Sequence, residues 1–447
     1  MPSSPQNSRA SRPGFIVFMV LLNLMVAADL GLDAPLIVKI TARYGLTDFD
    51  FSLFILDPFL GLYILFMFVW GYASDRASRR QILFFTILLG NLFILGTGLA
   101  LYWRWPFWAM AGCRVLSALG LAGSVPVSSS MVVDVVPPEE RAGAFAWMGI
   151  AGLLGAGAGF LLSGLLAGIG VFVPYLIGAG LGLGLALGVL FLRDPPRGQT
   201  EQALAELIAQ GKLDYAYRIS GRQVLELARR PGNLYLFGFA FLYNLPGAAL
   251  GSFFITFLIR NHGFQEGPAA IFTCLVFGTE VFGQLYFGRL GDRRYRRFPC
   301  GRLQVMFWTT LAGLPLLAAG FLIPFSTHEF SRIALFSLLV MLGSAVMIGA
   351  NPNRMATVCD LNLPEHRGTI IGLNTIAGTL ATLVAAPTCT FLALRLSGSY
   401  AHAFLILFLG FIPAALLLVP LRRRLPSDLA ATAATLSARA ASRLTPP

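Results

Sequence analysis

Two short strings each occur twice in this chain, in the same order and about half a chain apart. Gly71-Tyr72-Ala73-Ser74-Asp75-Arg76-Ala77-Ser78-Arg79-Arg80 is echoed 217 residues later by Gly288-Arg289-Leu290-Gly291-Asp292-Arg293-Arg294-Tyr295-Arg296-Arg297. Asp134-Val135-Val136-Pro137-Pro138-Glu139-Glu140-Arg141 is echoed 226 residues later by Asp360-Leu361-Asn362-Leu363-Pro364-Glu365-His366-Arg367. Such a duplication confines the chain to folds with two equivalent halves. Because apolar runs fill the space between the copies, the halves are predicted to be pseudo-symmetric helical bundles in a membrane.

Only 12% of the 447 residues are charged and 56% are apolar, whereas a soluble domain carries roughly a quarter charged residues. Lipid is therefore the expected solvent. The formal charge of +12 would suit a nucleic-acid binder, but the basic residues cluster between apolar runs, which excludes that class. Runs of about 20 apolar residues can span a bilayer. Twelve are counted: 14–38, 51–73, 81–102, 107–133, 142–165, 169–192, 232–258, 268–287, 301–324, 332–358, 368–393 and 401–421. The predicted fold class is all-α integral membrane, with twelve transmembrane helices in two six-helix bundles at 14–192 and 232–421. The tail 1–13 and the central loop 193–231 fall outside them, and Leu204, Leu207 and Ile208 suggest an amphipathic surface helix in that loop. The tail 422–447, rich in Ala, Ser and Thr, reads as disordered beyond Arg424.

The run from Phe15 to Ala28 has the look of a signal peptide, but it continues to Val38 and is needed as the first span, so it is read as a retained helix. Lys and Arg number 26 on the side of the termini and six on the other, which places both termini in the cytoplasm. Thirty-one Arg against two Lys hints at a GC-rich bacterial genome, and hence at the inner membrane. The five cysteines show no paired spacing and are read as small core residues, with no disulfide and no metal site.

Twelve spans in two sixes, a long central loop, and Gly-x-x-x-Asp-Arg-x-x-Arg-Arg after spans 2 and 8 resemble the major facilitator superfamily over nearly the whole chain. Neither copy is a perfect example, since Ser78 and Tyr295 stand where glycine is usual. The physics of the string can be stated independently. Gly71 and Gly288 let two helices approach closely. Asp75 and Asp292 can accept from the unpaired N–H groups at a neighbouring helix start, where the helix dipole favours their charge. The resemblance implies which starts: span 11 near Gly368 for Asp75, and span 5 near Ala142 for Asp292. Arg76, Arg141, Arg293 and Arg367 complete the expected gating set, with Arg141 and Arg367 forming charge pairs beside those starts. Arg79, Arg80, Arg296 and Arg297 are explained at least as well by the positive-inside bias.

A narrower resemblance is to Spinster-like lipid transporters. It rests on Arg193-Asp194-Pro195-Pro196-Arg197-Gly198, on Asn351-Pro352-Asn353 leading into Leu363-Pro364-Glu365-His366-Arg367-Gly368, and on Arg114 with Gly120 and Ala122. The chain departs from that pattern at Leu121, where an acid is expected, and at Leu30, where an arginine is.

Ionisable residues within spans are costly and are therefore candidates for function. Asp29 and Asp33, four apart in span 1, share a face with each other. With Asp57 and Arg114 they fall 5 to 9 residues from the predicted outer ends, roughly 8–14 Å deep at about 1.5 Å per residue. The resemblance implies that spans 1 and 4 line a central cavity, which makes Asp29, Asp33 and Arg114 substrate or proton site candidates. Glu280, with no basic residue at its level, and Asn244 join them. Tyr243, Asn351, Arg354 and Asp57 are secondary candidates; Asp57-Pro58 can equally start or kink a helix. Glycines 149, 152, 155, 157 and 159 form a small-residue stripe in span 5, but Phe160 replaces the proline typical of drug:proton antiporters there.

The expected function is secondary active transport of a small amphipathic or lipid-like solute, of lysophospholipid or sphingoid type, by alternating access with proton coupling. Efflux of hydrophobic cationic drugs is the alternative, and a transport-dead receptor or a membrane enzyme on the same scaffold is a more distant one. No nucleotide-binding loop of P-loop type is present, so direct ATP drive is excluded. No cofactor is expected. The expected partners are the solute, protons and membrane lipids, and the expected state is a monomer.

Overall fold

Glycine and proline decide where the long apolar runs bend. The structure is a computed structural model, and it describes residues 5–46, 48–166, 168–200, 220–264, 266–326, 328–396 and 399–444. The first bundle comprises α1 (Pro5–Gly31), α2 (Asp57–Arg76), α3 (Arg79–Tyr102), α4 (Phe107–Val135), α5 (Arg141–Leu166) and α6 (Val173–Val189). The second comprises α7 (Pro231–His262), α8 (Glu266–Gly278 and Glu280–Tyr295), α9 (Gly301–Phe321), α10 (Phe330–Leu361), α11 (Arg367–Arg395) and α12 (Tyr400–Phe408 and Phe411–Leu444). Eleven helices among the described residues are long and apolar enough to cross a membrane, and α6 is shorter at 17 residues. At about 1.5 Å per residue it still approaches the thickness of a hydrocarbon core.

The two halves break their helices at equivalent places. In α4, Leu121 and Ser124 flank a turn at Ala122-Gly123, where the Gly123 N–H bonds to Gly120. The Leu119 carbonyl that this turn releases accepts from the Trp70 indole of α2, at 2.5 Å. In α10, the turn at Ile348-Gly349 precedes Pro352, which has no N–H to give. The Met347 carbonyl released there accepts from the Tyr243 hydroxyl of α7, also at 2.5 Å. Each break is thus satisfied by an aromatic donor from a neighbouring helix, as a buried backbone carbonyl requires.

These breaks separate segments with different packing. On the arginine-rich face, Ser124–Val135 of α4 packs on α11, α2 packs on α11, and α5 packs on Glu280–Tyr295 of α8 and Ala350–Leu361 of α10. The far segments Phe107–Leu121, Glu266–Gly278 and Phe330–Met347 pack chiefly on helices of their own bundle. The bundles therefore join across the basic face.

The tail differs from its expected disorder. It continues α12 as helix to Leu444, because its many alanines favour helix and its apolar residues find a surface. Leu425 and Leu436 are buried, Thr432 donates to the Leu361 carbonyl at 3.1 Å, and Arg439 pairs with Glu365 at 2.7 Å. The other end differs too, since α1 already begins at Pro5. In the central loop the helix expected around Leu204, Leu207 and Ile208 lies outside the described residues. A short helix, Gly221–Arg229, follows with a Ser220–Gln223 capping box. Cys359 and Cys389 are buried, whereas Cys274 is exposed.

Candidate functional site

A cavity of about 440 Å³ lies between the bundles. Asn23 of α1, Tyr63 of α2 and Ser129 of α4 line it from one side, with Glu280, Asn351 and Arg354 from the other. Glu280 is the first residue after the α8 break, and Gln284, one turn on, also lines the cavity. Glu280 makes no hydrogen bond or ion pair among the described residues. Arg354 sits just past the α10 break, 8% exposed, and donates to the side-chain oxygens of Asn374 and of Asn351, the latter at 3.4 Å. Its Nε is buried without a partner, and no carboxylate pairs with it among the described residues. Among the described residues, Glu280 and Arg354 are the two charged side chains that line the cavity.

The charges expected in spans 1 and 4 lie elsewhere, and Asp33 falls two residues past the end of α1, so it does not continue the helical face of Asp29. Arg114 Nε donates to both Asp33 oxygens at 3.0 and 2.9 Å, and its Nη2 reaches the Asp29 carbonyl at 3.0 Å. The Tyr175 hydroxyl of α6 donates to Asp33 at 2.7 Å, and the guanidinium lies 5.1 Å from the Phe59 ring centre. Asp33 and Arg114 therefore close on each other inside the first bundle, away from the cavity wall. Asp29 is 1% exposed, and its Oδ2 has no hydrogen-bond partner. Asp57 is exposed at the start of α2, directly after a π-helical turn at Ser52–Leu56. Tyr243 is committed to the α10 break, and Asn244 bonds back to Ala240 at 2.7 Å within α7.

The basic face is closed by two related latches. Asp75 accepts from the backbone N–H groups of Gly368 and Thr369 at 2.9 and 2.6 Å, at the start of α11. Asp292 accepts from those of Ala142 and Gly143 at 3.1 and 2.7 Å, at the start of α5. Each carboxylate thus caps a helix of the opposite bundle, where unpaired donors and the helix dipole favour it. Gly71 meets Gly368 so closely that an added Cβ would lie 2.7 Å from the Gly368 carbonyl oxygen.

Arg141 and Arg367, which open α5 and α11, meet a second pair of aspartates. Arg141 bonds Asp360 across the bundle interface at 2.6 Å, and Arg367 bonds Asp134 at 2.9 Å. Each of these carboxylates also takes an arginine of its own bundle: Arg79 on Asp134 and Arg302 on Asp360. Arg302 further bonds Asp292 at 2.6 Å. Arg76 and Arg293 are exposed, and Arg76 turns to the Tyr72 hydroxyl at 2.6 Å. Asp134, Asp360, Arg79 and Arg302 escaped the sequence reading as gate residues, although the second repeated string opens on both aspartates. Their positions at helix ends facing an arginine string were the available signal.

The central loop joins the first latch. Asp194 accepts from the Arg79 backbone at 2.9 Å and its Nε at 3.2 Å, and the Gly198 N–H donates to Asp134 at 2.9 Å. Arg197 caps the carbonyls of Ser74, Asp75 and Ala77 at the end of α2. Burial, reinforced by the Arg79 charge beside it, lowers the Arg197 guanidinium from its usual range.

Residues 14–386 match the family described as the Major Facilitator Superfamily. Among curated proteins, the chain is 24% identical over 215 residues to protein spinster homolog 3 of Danio rerio, covering 46% of this chain and 42% of that protein. It is 26% identical over 282 residues to an MFS-type efflux pump of Mycolicibacterium smegmatis, covering 62% and 61%. The matched regions thus span less than two thirds of either relative. Among solved structures, the transporter FucP in its outward conformation aligns with a TM-score of 0.70 at 16% identity, over 90% of this chain and 97% of that one. A bacterial homologue of the human lysosomal transporter Spinster, inward-facing and unoccupied, aligns with a TM-score of 0.55 at 18% identity, over 100% of both chains. These likenesses establish the fold.

Proposed function

The chain belongs to the major facilitator superfamily, a family of transporters, and from that membership we propose secondary active transport of an amphipathic, lipid-like solute with proton coupling. The observation that carries this reading is the cavity between the bundles, with its two unpaired charges above a basic face latched shut by cross-bundle bonds. In the orientation implied by the positive-inside bias, the basic face is cytoplasmic and the latched form is closed to the cytoplasm. Turnover then requires the Asp75, Asp134, Asp292 and Asp360 contacts to break together while the far segments close. Glu280 is the coupling group, because it lines the cavity with no ion pair among the described residues and can exchange a proton as access alternates. Asp29 is the second proton candidate. Asp33 and Arg114 are a fixed pair that holds α1, α4 and α6 in register. The protein acts as a monomer in a bacterial inner membrane.

The resemblance to a mycobacterial efflux pump supports one competing reading, expulsion of hydrophobic cations. Flux in proteoliposomes, with and without an imposed pH gradient, separates the two. A fluorescent lysophospholipid or sphingoid base would be offered beside a lipophilic cationic dye. Gradient-dependent lipid movement that Glu280→Gln abolishes is the expected result. Movement of the dye alone would replace this reading with drug efflux, and an intact proton dependence in Glu280→Gln would remove that residue from coupling.

A further inference from the structure

We propose that the cavity recognises a zwitterionic head group, with Arg354 taking its phosphate or carboxylate and Glu280 taking its ammonium. This rests on the transport reading above and narrows its substrate class. A cavity built for hydrophobic cations needs an acid and gains nothing from an uncompensated arginine. Here the guanidinium is almost wholly buried, yet its neighbours are the neutral amides of Asn351 and Asn374, and Nε is left with no acceptor. A buried cation without a carboxylate is costly in a protein interior, and an anionic ligand would supply what the fold withholds. Arginine is also the side chain whose planar fork fits phosphate and carboxylate with two parallel bonds.

The rest of the cavity agrees. Glu280 contributes an equal and opposite charge, so the lining is neutral overall and offers one charge of each sign. Asn374 holds the arginine from behind, and itself donates to the Leu236 carbonyl of α7 at 3.2 Å, so the fork is fixed from the side of the second bundle. Val26, Ala27 and Met148 provide apolar wall for the start of a chain. An amphiphile bearing only a cation would leave Arg354 unmatched and would be repelled by it. One bearing only an anion would leave Glu280 unmatched in the same way. A zwitterion satisfies both.

The test is competition against labelled lysophosphatidylcholine on the purified full-length protein in maltoside. The competitors share a twelve-carbon chain: dodecylphosphocholine, lauroylcarnitine, dodecyl phosphate, dodecyltrimethylammonium and monolaurin. The two zwitterions are expected to displace the label at concentrations at least about tenfold below the other three, the scale of one charge-assisted bond. The two zwitterions also separate phosphate from carboxylate as the preferred anion. Arg354→Gln should erase the advantage of phosphocholine over trimethylammonium. Arg354→Lys, which keeps the charge and loses the fork, should preserve the order of competitors with weaker zwitterion binding, and it serves if the glutamine variant fails to fold. The inference is overturned if the wild type binds the cation as well as the zwitterions. It is equally overturned if a folded Arg354→Gln keeps the wild-type order. If the labelled lipid does not bind the wild type at all, the amphiphile reading falls and this inference with it, an outcome distinct from binding without regard to charge.

Discussion

The two latches of the basic face are built from one repeated string, yet they are held differently. Asp75 is 1% exposed and is held by two backbone N–H groups of α11, with no ion pair among the described residues. Asp292 is 6% exposed and shares its load with Arg302, which also holds Asp360. The helix contacts differ in the same sense. An added Cβ at Gly71 would lie 2.7 Å from the Gly368 carbonyl oxygen, whereas at Gly288 it would lie 3.0 Å from the Ala146 methyl and 3.1 Å from the Ala142 carbonyl oxygen. The supports behind them also differ: the loop segment around Asp194 to Thr200 reaches Asp134 beside the first latch, whereas the continued α12 helix bonds Leu361, next to Asp360 of the second, and Glu365, just ahead of the α11 start of the first. Duplication therefore preserves one cross-bundle interaction, the carboxylate on a helix start. The surroundings were free to diverge because they need only hold that carboxylate in place.

This comparison can be broken or sharpened by substitution. The largest effects are expected at the shared aspartates. Asp134→Asn and Asp360→Asn each leave cross-bundle arginines without their carboxylate, which costs about 3–5 kcal/mol at a buried pair. Asp134→Asn should be the worse of the two, since it also removes the charge that strengthens the Gly198 bond of the loop; thermal unfolding of the purified variants that shows the reverse order would remove the loop from the latch.

Next comes the cap itself. Asp75→Asn should lower turnover about tenfold with little change in solute affinity, while Asp292→Asn loses less because Arg302 keeps Asp360. Equal losses in maximal flux would show that the arginine adds nothing. A third step concerns the glycines. Gly71→Ala forces backbone apart at an expected cost of about 1–3 kcal/mol, and Gly288→Ala should cost less. Both would be read as the alkylation rate of buried Cys359 in a variant with the other cysteines replaced; faster labelling in Gly288→Ala than in Gly71→Ala would invert the comparison. The smallest effect belongs to Arg439→Ala. Arg439 is 19% exposed in its pair with Glu365, so the loss should be about 1 kcal/mol, and a large drop in thermal midpoint would mean that the α12 extension carries more of the basic face than its contacts suggest.

Much of the architecture could be read along the chain. Spans, halves and the contact partners of Asp75 and Asp292 needed only apolar run length, the repeats and a family resemblance. The partners of Arg141 and Arg367 were less legible, because a charge string shows sign and position along a helix but not which of several nearby acids it meets. Arg79 illustrates this: positive-inside bias explains its presence, while its contacts with Asp134 and Asp194 depend on helix ends 50 and more residues away. The α12 extension was misread for a different reason. A low-complexity run of alanine, serine and threonine resembles a disordered tail, but alanine is the strongest helix former and a few leucines suffice to seat the helix.

The sequence by itself determined the class, the twofold organisation and the basic side, since each follows from local composition or from self-similarity. Only the tertiary structure decided which intramembrane charges face the cavity. Asp33 and Arg114 neutralise each other within one bundle, whereas Glu280 and Arg354 line the space between bundles with their charges unspent. That division cannot be seen from depth along a span, because burial of a charge depends on how each helix is rotated. Rotation is set by packing against residues far away in the chain.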